Sequence, residues 1–205
     1  GNALREKMGH YLGAVFCYGG EQYWGVDRLG YLEQRLVALG ASRDPASALL
    51  APRLRMRGDR FDASRAGITL EFFPSLRSPY SYIAMERTLD LAARTGVTLA
   101  WRPVLPMVMR GLPVPQAKRL YITRDTKREA DSEGVPFWRI SDPVGRPVER
   151  AFSLYPWAVS RGRGAELLLE FSRAVWSRGV PAGTDDGMRQ VVEAAGLPWA
   201  EARQH

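Results

Sequence analysis

Phe72-Phe73-Pro74-Ser75-Leu76-Arg77-Ser78-Pro79-Tyr80-Ser81-Tyr82 reads as a short buried strand that stops abruptly and opens a helix. Leu70, Phe72 and Phe73 end an apolar run, and Pro74 interrupts strand pairing. Ser78 suits an N-cap and Pro79 the first helical position. Ile83, Glu86, Arg87, Leu89, Asp90 and Leu91 continue a mixed helical pattern until Gly96. Such a junction aims unpaired backbone N–H groups and the positive end of a helix dipole at one point. An anion is stabilised there, and the Ser78 hydroxyl adds a hydrogen-bond donor.

Ser78-Pro79-Tyr80-Ser81-Tyr82 after an apolar strand resembles the active-site start of 2-hydroxychromene-2-carboxylate isomerases and kappa-class glutathione transferases, on the DsbA-like branch of the thioredoxin superfamily. In that likeness Ser-Pro-Tyr-Ser stands where redox members carry Cys-x-x-Cys. The plain alternative is that Ser78 only caps a helix.

Composition narrows the classes. The chain has 205 residues, 45% of them hydrophobic, enough for a medium domain with its own core. No stretch has the apolar length of a membrane span, and no signal-peptide pattern is present. The chain starts at Gly1 with a helical pattern already under way, which reads as a fragment or a processed chain, such as a piece of a tandem protein. The formal charge is +7, with arginine dense between Arg53 and Arg65 and at Arg161 and Arg163. No zinc spacing, RNP motif or recognition helix accompanies it, so a solvated basic surface is expected rather than a nucleic-acid interface. Cys17 is the single cysteine, which excludes an intrachain disulfide and fits a reducing, cytoplasmic setting. Within Ala14-Val15-Phe16-Cys17-Tyr18 it reads as a small buried hydrophobe. With only His10 and His205, no metal site is expected.

Along the chain, residues 3 to 9 read as a helix end and Ala14 to Tyr18 as a strand. Gly19-Gly20 signals a hairpin, and Glu21 to Trp24 is its return strand. Leu29, Leu32, Leu36 and Leu39 recur at helical spacing up to Gly40. Residues 41 to 66 read as a linker, with a helical turn at Ala46 to Leu50. Ile68–Phe73, Pro79–Thr95 and Val97–Trp101 make a βαβ unit over residues 67–103. Residues 104–205 are mainly helical: a bent connection at Leu105–Gly111, helices at Pro115–Gly134, Glu149–Ser160, Gly164–Gly179 and Thr184–Ala195, and a loop at Pro136–Pro147.

The expected fold class is therefore α/β: a thioredoxin-like, DsbA-like sheet with a helical insertion. Its elements run in circularly permuted order: ββα over 1–40, linker, βαβ, then helices. The hairpin run through Trp24-Gly25-Val26-Asp27-Arg28-Leu29 also resembles the C-terminal end of the same isomerase family. A lone hairpin-helix would leave its apolar stripe in water. The expectation is that it completes the sheet begun at Ile68, within the chain or by exchange with a second copy in a homodimer.

The resemblance implies a glutathione-dependent isomerase or transferase acting on a small aromatic or electrophilic substrate. Ser78 is then the catalytic residue, holding the thiolate at the helix start. Asp27 holds the γ-glutamyl amine, or caps a helix. Lys118 meets a glutathione carboxylate, or sits on a solvated face. Tyr80 and Trp24 line the pocket, or pack in the core. The family's cis-proline loop falls near Ala14, where no proline stands. The other class of reading is a catalytically degenerate thioredoxin-fold domain that binds a peptide or partner.

Overall fold

The computed structural model describes residues 1–44, 46–53 and 67–205. Its elements are α1 (Asn2–Lys7), β1 (Val15–Tyr18), β2 (Glu21–Trp24), α2 (Leu29–Ala38), β3 (Thr69–Phe72), α3 (Pro79–Thr95), β4 (Thr98–Trp101), α4 (Gln116–Glu133), α5 (Arg146–Ser160), α6 (Gly164–Trp176), α7 (Asp185–Ala194) and α8 (Trp199–Ala202). Short 3-10 turns occupy Val26–Arg28 and Met107–Arg110. The order ββα, then βαβ, then helices is the expected one. The chain divides into two compact units. Of the described residues, the first holds 1–53 with Pro115–Asp125, and the second holds 67–114 and 126–205.

In the first unit, Gly19 and Gly20 have φ of 56° and 80°. Two successive positive φ values make the tight turn whose twist matches a hairpin. It fixes the register Val15↔Trp24, Phe16↔Tyr23, Cys17↔Gln22, Tyr18↔Glu21. Tyr23 is buried, and its hydroxyl donates to Glu21 at 2.6 Å. The front of the expected linker packs on α2, where the Glu33 carboxylate accepts from Leu50 N and Ala51 N at 2.7 and 2.8 Å. The helical turn expected at Ala46 to Leu50 shrinks to a turn closed by Asp44, which takes bonds from Ala46 N and Ser47 N. The rest of the linker, including Arg55-Met56-Arg57-Gly58-Asp59-Arg60, lies outside the described residues.

In the second unit β3 and β4 are parallel, paired Thr69↔Thr98 through Phe72↔Trp101, with α3 as the crossover. The core gathers Leu76, Tyr82, Ile83 and Met85 from the α3 region with Leu154 and Trp157 of α5, Leu168, Phe171 and Val175 of α6, and Met188 and Val191 of α7. Phe72 and Trp101 pack on it, their own two rings edge to face at 5.3 Å.

Four expectations are corrected. Among the described residues β1 does not extend the β3 sheet within the chain: hydrogen bonding runs as two separate two-stranded sheets, β1–β2 and β3–β4. Each pair is closed by its own local connection, the two-residue turn in one and the α3 crossover in the other. α5 starts at Arg146, because Pro147 sits in its first turn rather than ending a loop. α6 stops at Trp176, and α8 follows α7 where no helix was expected.

Candidate functional site

The strand-to-helix junction of the second unit is built by local backbone bonding. Beyond β3 and β4 the two chains stay paired: Arg102 N donates to Phe72 O at 2.8 Å and Val104 N to Pro74 O at 2.9 Å. Ser75 N then donates to Ser81 Oγ at 3.1 Å, and Ser78 N to Ser75 O at 2.9 Å. Ser78 is extended (φ −97°, ψ 114°), and its Oγ accepts from Ser81 N at 3.3 Å. This is the cap that the Ser-Pro pair predicts. A hydroxyl that accepts through its oxygen still has one proton to give. No acceptor among the described residues takes it. The backbone donors are more fully used: Tyr82 N donates to Ser78 O at 3.2 Å, and Pro79 has no N–H. Tyr80 is half-buried against the core.

Three contacts of the residues around Ser78 escape a reading of the sequence alone. Arg77 forks onto Asp142, with Nε–Oδ1 and Nη2–Oδ2 both 2.7 Å. That hydrogen bond, opposed in part by burial, holds the guanidinium pKa above its ordinary value. The Trp176 indole N–H donates to Leu76 O at 3.4 Å, and the Tyr82 hydroxyl donates to Pro136 O at 2.7 Å. Burial, first, pushes the Tyr82 phenol upward.

The first unit holds the remaining candidates. Trp24 is part of an aromatic cluster with His10, Tyr11 and Tyr121; its ring lies 6.3 Å from Tyr121 and perpendicular to it. Its backbone N–H donates to the Tyr121 hydroxyl at 3.2 Å, and its indole N–H to Gly13 O at 3.1 Å. It is therefore a partly exposed cluster member rather than a core residue. The Lys118 ammonium lies over the Tyr11 ring at 5.7 Å. The Asp27 carboxylate is exposed and meets Arg28 Nη1 at 2.7 Å. It caps no helix: Gly25 precedes the 3-10 turn and Arg28 precedes α2, neither with a side-chain cap. Arg28 in turn forks onto the buried Asp125, with bonds of 2.8 to 3.0 Å. Ala14 has φ of 55°, a left-handed backbone in a residue with a Cβ. Cys17 is half-buried, not fully enclosed, and burial raises its thiol pKa. Ser78 and Tyr80 thus belong to one unit, and Trp24, Asp27 and Lys118 to the other. Among the described residues no group of three His, Cys, Asp or Glu side chains is set to hold a metal, and no helix is long and apolar enough to cross a membrane.

A family model described as the DSBA-like thioredoxin domain matches residues 69–205. The chain belongs to the DSBA-like thioredoxin domain family. Among solved structures it is similar to a 2-hydroxychromene-2-carboxylate isomerase, at 20% identity and a TM-score of 0.55, over 67% of this chain and 70% of that one. It is also similar to a probable DsbA oxidoreductase from Streptomyces coelicolor, at 20% identity and a TM-score of 0.48, over 67% of this chain and 66% of that one. A search of curated proteins gave no significant match. At such identity the likeness concerns the fold: this DSBA-like domain is an α/β, thioredoxin-type fold with small sheets and a large helical part.

Proposed function

We propose that the chain is a glutathione-dependent isomerase or transferase acting on a small aromatic or electrophilic substrate. The observation that supports this reading is the Ser78 hydroxyl. It is fixed at the start of α3 by Ser81 N, and its proton is left to donate. A thiolate suits that donor: hydrogen bonding to the charged form, with the positive end of a helix, lowers a thiol pKa toward neutrality. Bound glutathione supplies a sulfur nucleophile that adds to an electrophilic carbon and, in an isomerisation, leaves again after rotation about the former double bond. Ser78 holds the negative charge of the sulfur through its O–H. The resemblance gives Tyr80 a wall beside Ser78; on the other unit it gives Asp27 a role toward an amine, Lys118 one toward a carboxylate and Trp24 that of a wall. These roles belong to the same proposal, as does a reducing, cytoplasmic setting for a chain with one cysteine.

A second reading, a catalytically degenerate DSBA-like domain that binds a partner, draws support from the same turn. Ser78 N, Ser81 N and Tyr82 N are all engaged internally, so little of the helix-end backbone remains for an anion.

Glutathione titration, followed by tryptophan fluorescence and by thiolate absorbance, separates the two. Binding in the millimolar range with a thiolate signal is expected, and no binding there sinks the enzyme. Ser78→Asp keeps the cap acceptor but removes the O–H, so stability should hold within about 0.5 kcal/mol while the thiolate signal is lost. Ser78→Ala should lose that signal and about 1 kcal/mol of stability. A thiolate signal that survives in Ser78→Asp reduces the serine to a cap.

A further inference from the structure

We propose that the extended run Trp138-Arg139-Ile140 is a docking edge for a partner's extended peptide segment in which acidic and apolar residues alternate. The run belongs to the second unit and is independent of the reading of Ser78.

One side of the run is fastened. Arg139 pairs in parallel with Arg178, and its N–H donates to Ser177 O at 3.4 Å. Ser141 N donates to Val175 O at 2.8 Å. The preceding Phe137 is buried and stacks on Trp176 at 6.0 Å. Gly179 passes so close that a Cβ built on it would lie 3.0 Å from that of Arg139. In an extended chain the backbone groups of successive residues point to opposite sides. Those of Trp138 and Ile140 therefore point away from Ser177 and Val175. Among the described residues neither one makes a backbone hydrogen bond through its N–H or its C=O. The result is a short strand edge, fixed by the core on one side and open on the other.

The side chains decide what fits beside it. Trp138 and Ile140 fall on one face of the run and Arg139 on the other. Trp138 is 76% exposed and Ile140 43%, on a backbone that cannot withdraw them. The Lys127 ammonium of α4 lies over the Trp138 ring at 5.1 Å and steadies it there. Arg139 makes no ion pair among the described residues. The nearby acids are engaged elsewhere, Asp131 with Lys127 and Glu170 with Arg173 and Arg178. A strand laid along the open edge sets its own alternate side chains beside these two faces. Beside Trp138 and Ile140 it places apolar residues, and beside Arg139 an acid. Main-chain bonds give the attachment, and the alternation gives the selectivity. An anionic membrane also attracts a tryptophan among basic residues. It offers nothing to the open N–H and C=O groups of Trp138 and Ile140, which are costly to bury in hydrocarbon. A peptide strand satisfies them.

The test uses the full chain and a fluorescein-labelled peptide of alternating glutamate and valine, followed by anisotropy. This peptide should bind at least about fivefold more tightly than one with the same residues in blocks, and than one with lysine for glutamate. Trp138→Ala should weaken binding about tenfold. Arg139→Glu should reverse the preference between the glutamate and lysine peptides. In the complex with the parent chain, amide exchange followed by NMR should slow at Trp138 and Ile140 and stay unchanged at Arg139 and Ser141. Equal affinity for the alternating and blocked peptides, binding that survives Trp138→Ala, unslowed exchange at those two amides, or no binding overturns the inference. Sedimentation with phosphatidylserine vesicles that Trp138→Ala abolishes, without peptide binding, assigns the patch to a membrane surface and overturns it too. If Trp138→Ala does not fold, as circular dichroism would show, amide exchange in the parent chain decides alone. A chain that binds the peptide but no glutathione keeps this edge and loses the Ser78 reading; the converse result keeps Ser78 and loses the edge.

Discussion

Gly187 and Ala14 are two small residues that the backbone treats in opposite ways. A Cβ built on Gly187 would lie 2.6 Å from the Pro181 carbonyl carbon and nearer still to its oxygen. That neighbour is main chain and cannot rotate aside. Gly187 N also donates to Thr184 Oγ1 at 3.0 Å, the cap of α7, so the first turn cannot slide away without losing it. Gly187→Ala should cost about 2–3 kcal/mol, the usual scale for overpacking a tight site. Ala14 carries a Cβ at φ of 55°, and Ala14→Gly removes that steric cost, gaining up to about 1 kcal/mol. Denaturant midpoints of the two variants should move in opposite directions. A Gly187→Ala midpoint equal to the parent's would show that the Pro181 backbone yields.

α4 places Tyr121 and Asp125 one turn apart, against Trp24 and Arg28 of the same unit. The Tyr121 phenol is pushed well above its usual value near 10, first by burial, next by the Asp125 charge, with the Trp24 N–H and Arg28 pulling the other way. Tyr11 is raised by the same two main causes. The sign follows from proton binding. Above pH about 10 the unfolded chain loses these phenolic protons while the folded chain keeps them. The stability they contribute is whole below pH 10 and falls as pH rises toward the folded values. Melting temperatures followed from about pH 8 to about pH 12 should show this fall, and Tyr121→Phe should flatten it. An unchanged slope in Tyr121→Phe would place the alkaline sensitivity elsewhere. Local elements were legible because their signals are local. Leucine spacing marked α2, Gly19-Gly20 the hairpin, Ser78-Pro79 the start of α3 and Thr184 the cap of α7. Pro147 misled because a proline ends a loop and opens a helix equally well. Arg28–Asp125 spans 97 residues and Arg77–Asp142 spans 65, and no periodicity encodes such partners. For Arg28 the only hint was its place in the Trp-Gly-x-Asp-Arg-Leu run, and for Asp125 there was none.

Apolar burial is unevenly shared along the molecule, and cooperativity should follow it. The core cluster runs from Leu76 to Ala202 and draws on α3, α5, α6 and α7. Among the described residues of the first unit, the fully buried large apolar side chains are Tyr23 and Tyr121, joined by the polar His10 and Asp125. At roughly 25 cal/mol per Å² of apolar surface, two tyrosines contribute a few kcal/mol against some tens for the larger cluster. The two-stranded hairpin adds little by itself, since such pairs are marginal in water. The Arg28–Asp125 fork is a weak source of net stability, because desolvation offsets most of its attraction. Opening of β1, β2 and α2 should therefore need less free energy than opening of α5 to α7. Native-state hydrogen exchange in rising guanidinium should show hairpin and α2 amides losing protection while α6 amides keep theirs. Breaking the fork by Asp125→Ala removes the buried partner of Arg28, so it should widen that gap by lowering the hairpin alone. Should the amides of α2 and α6 instead share one opening free energy in both chains, the two units unfold as one, and burial within each does not set its stability.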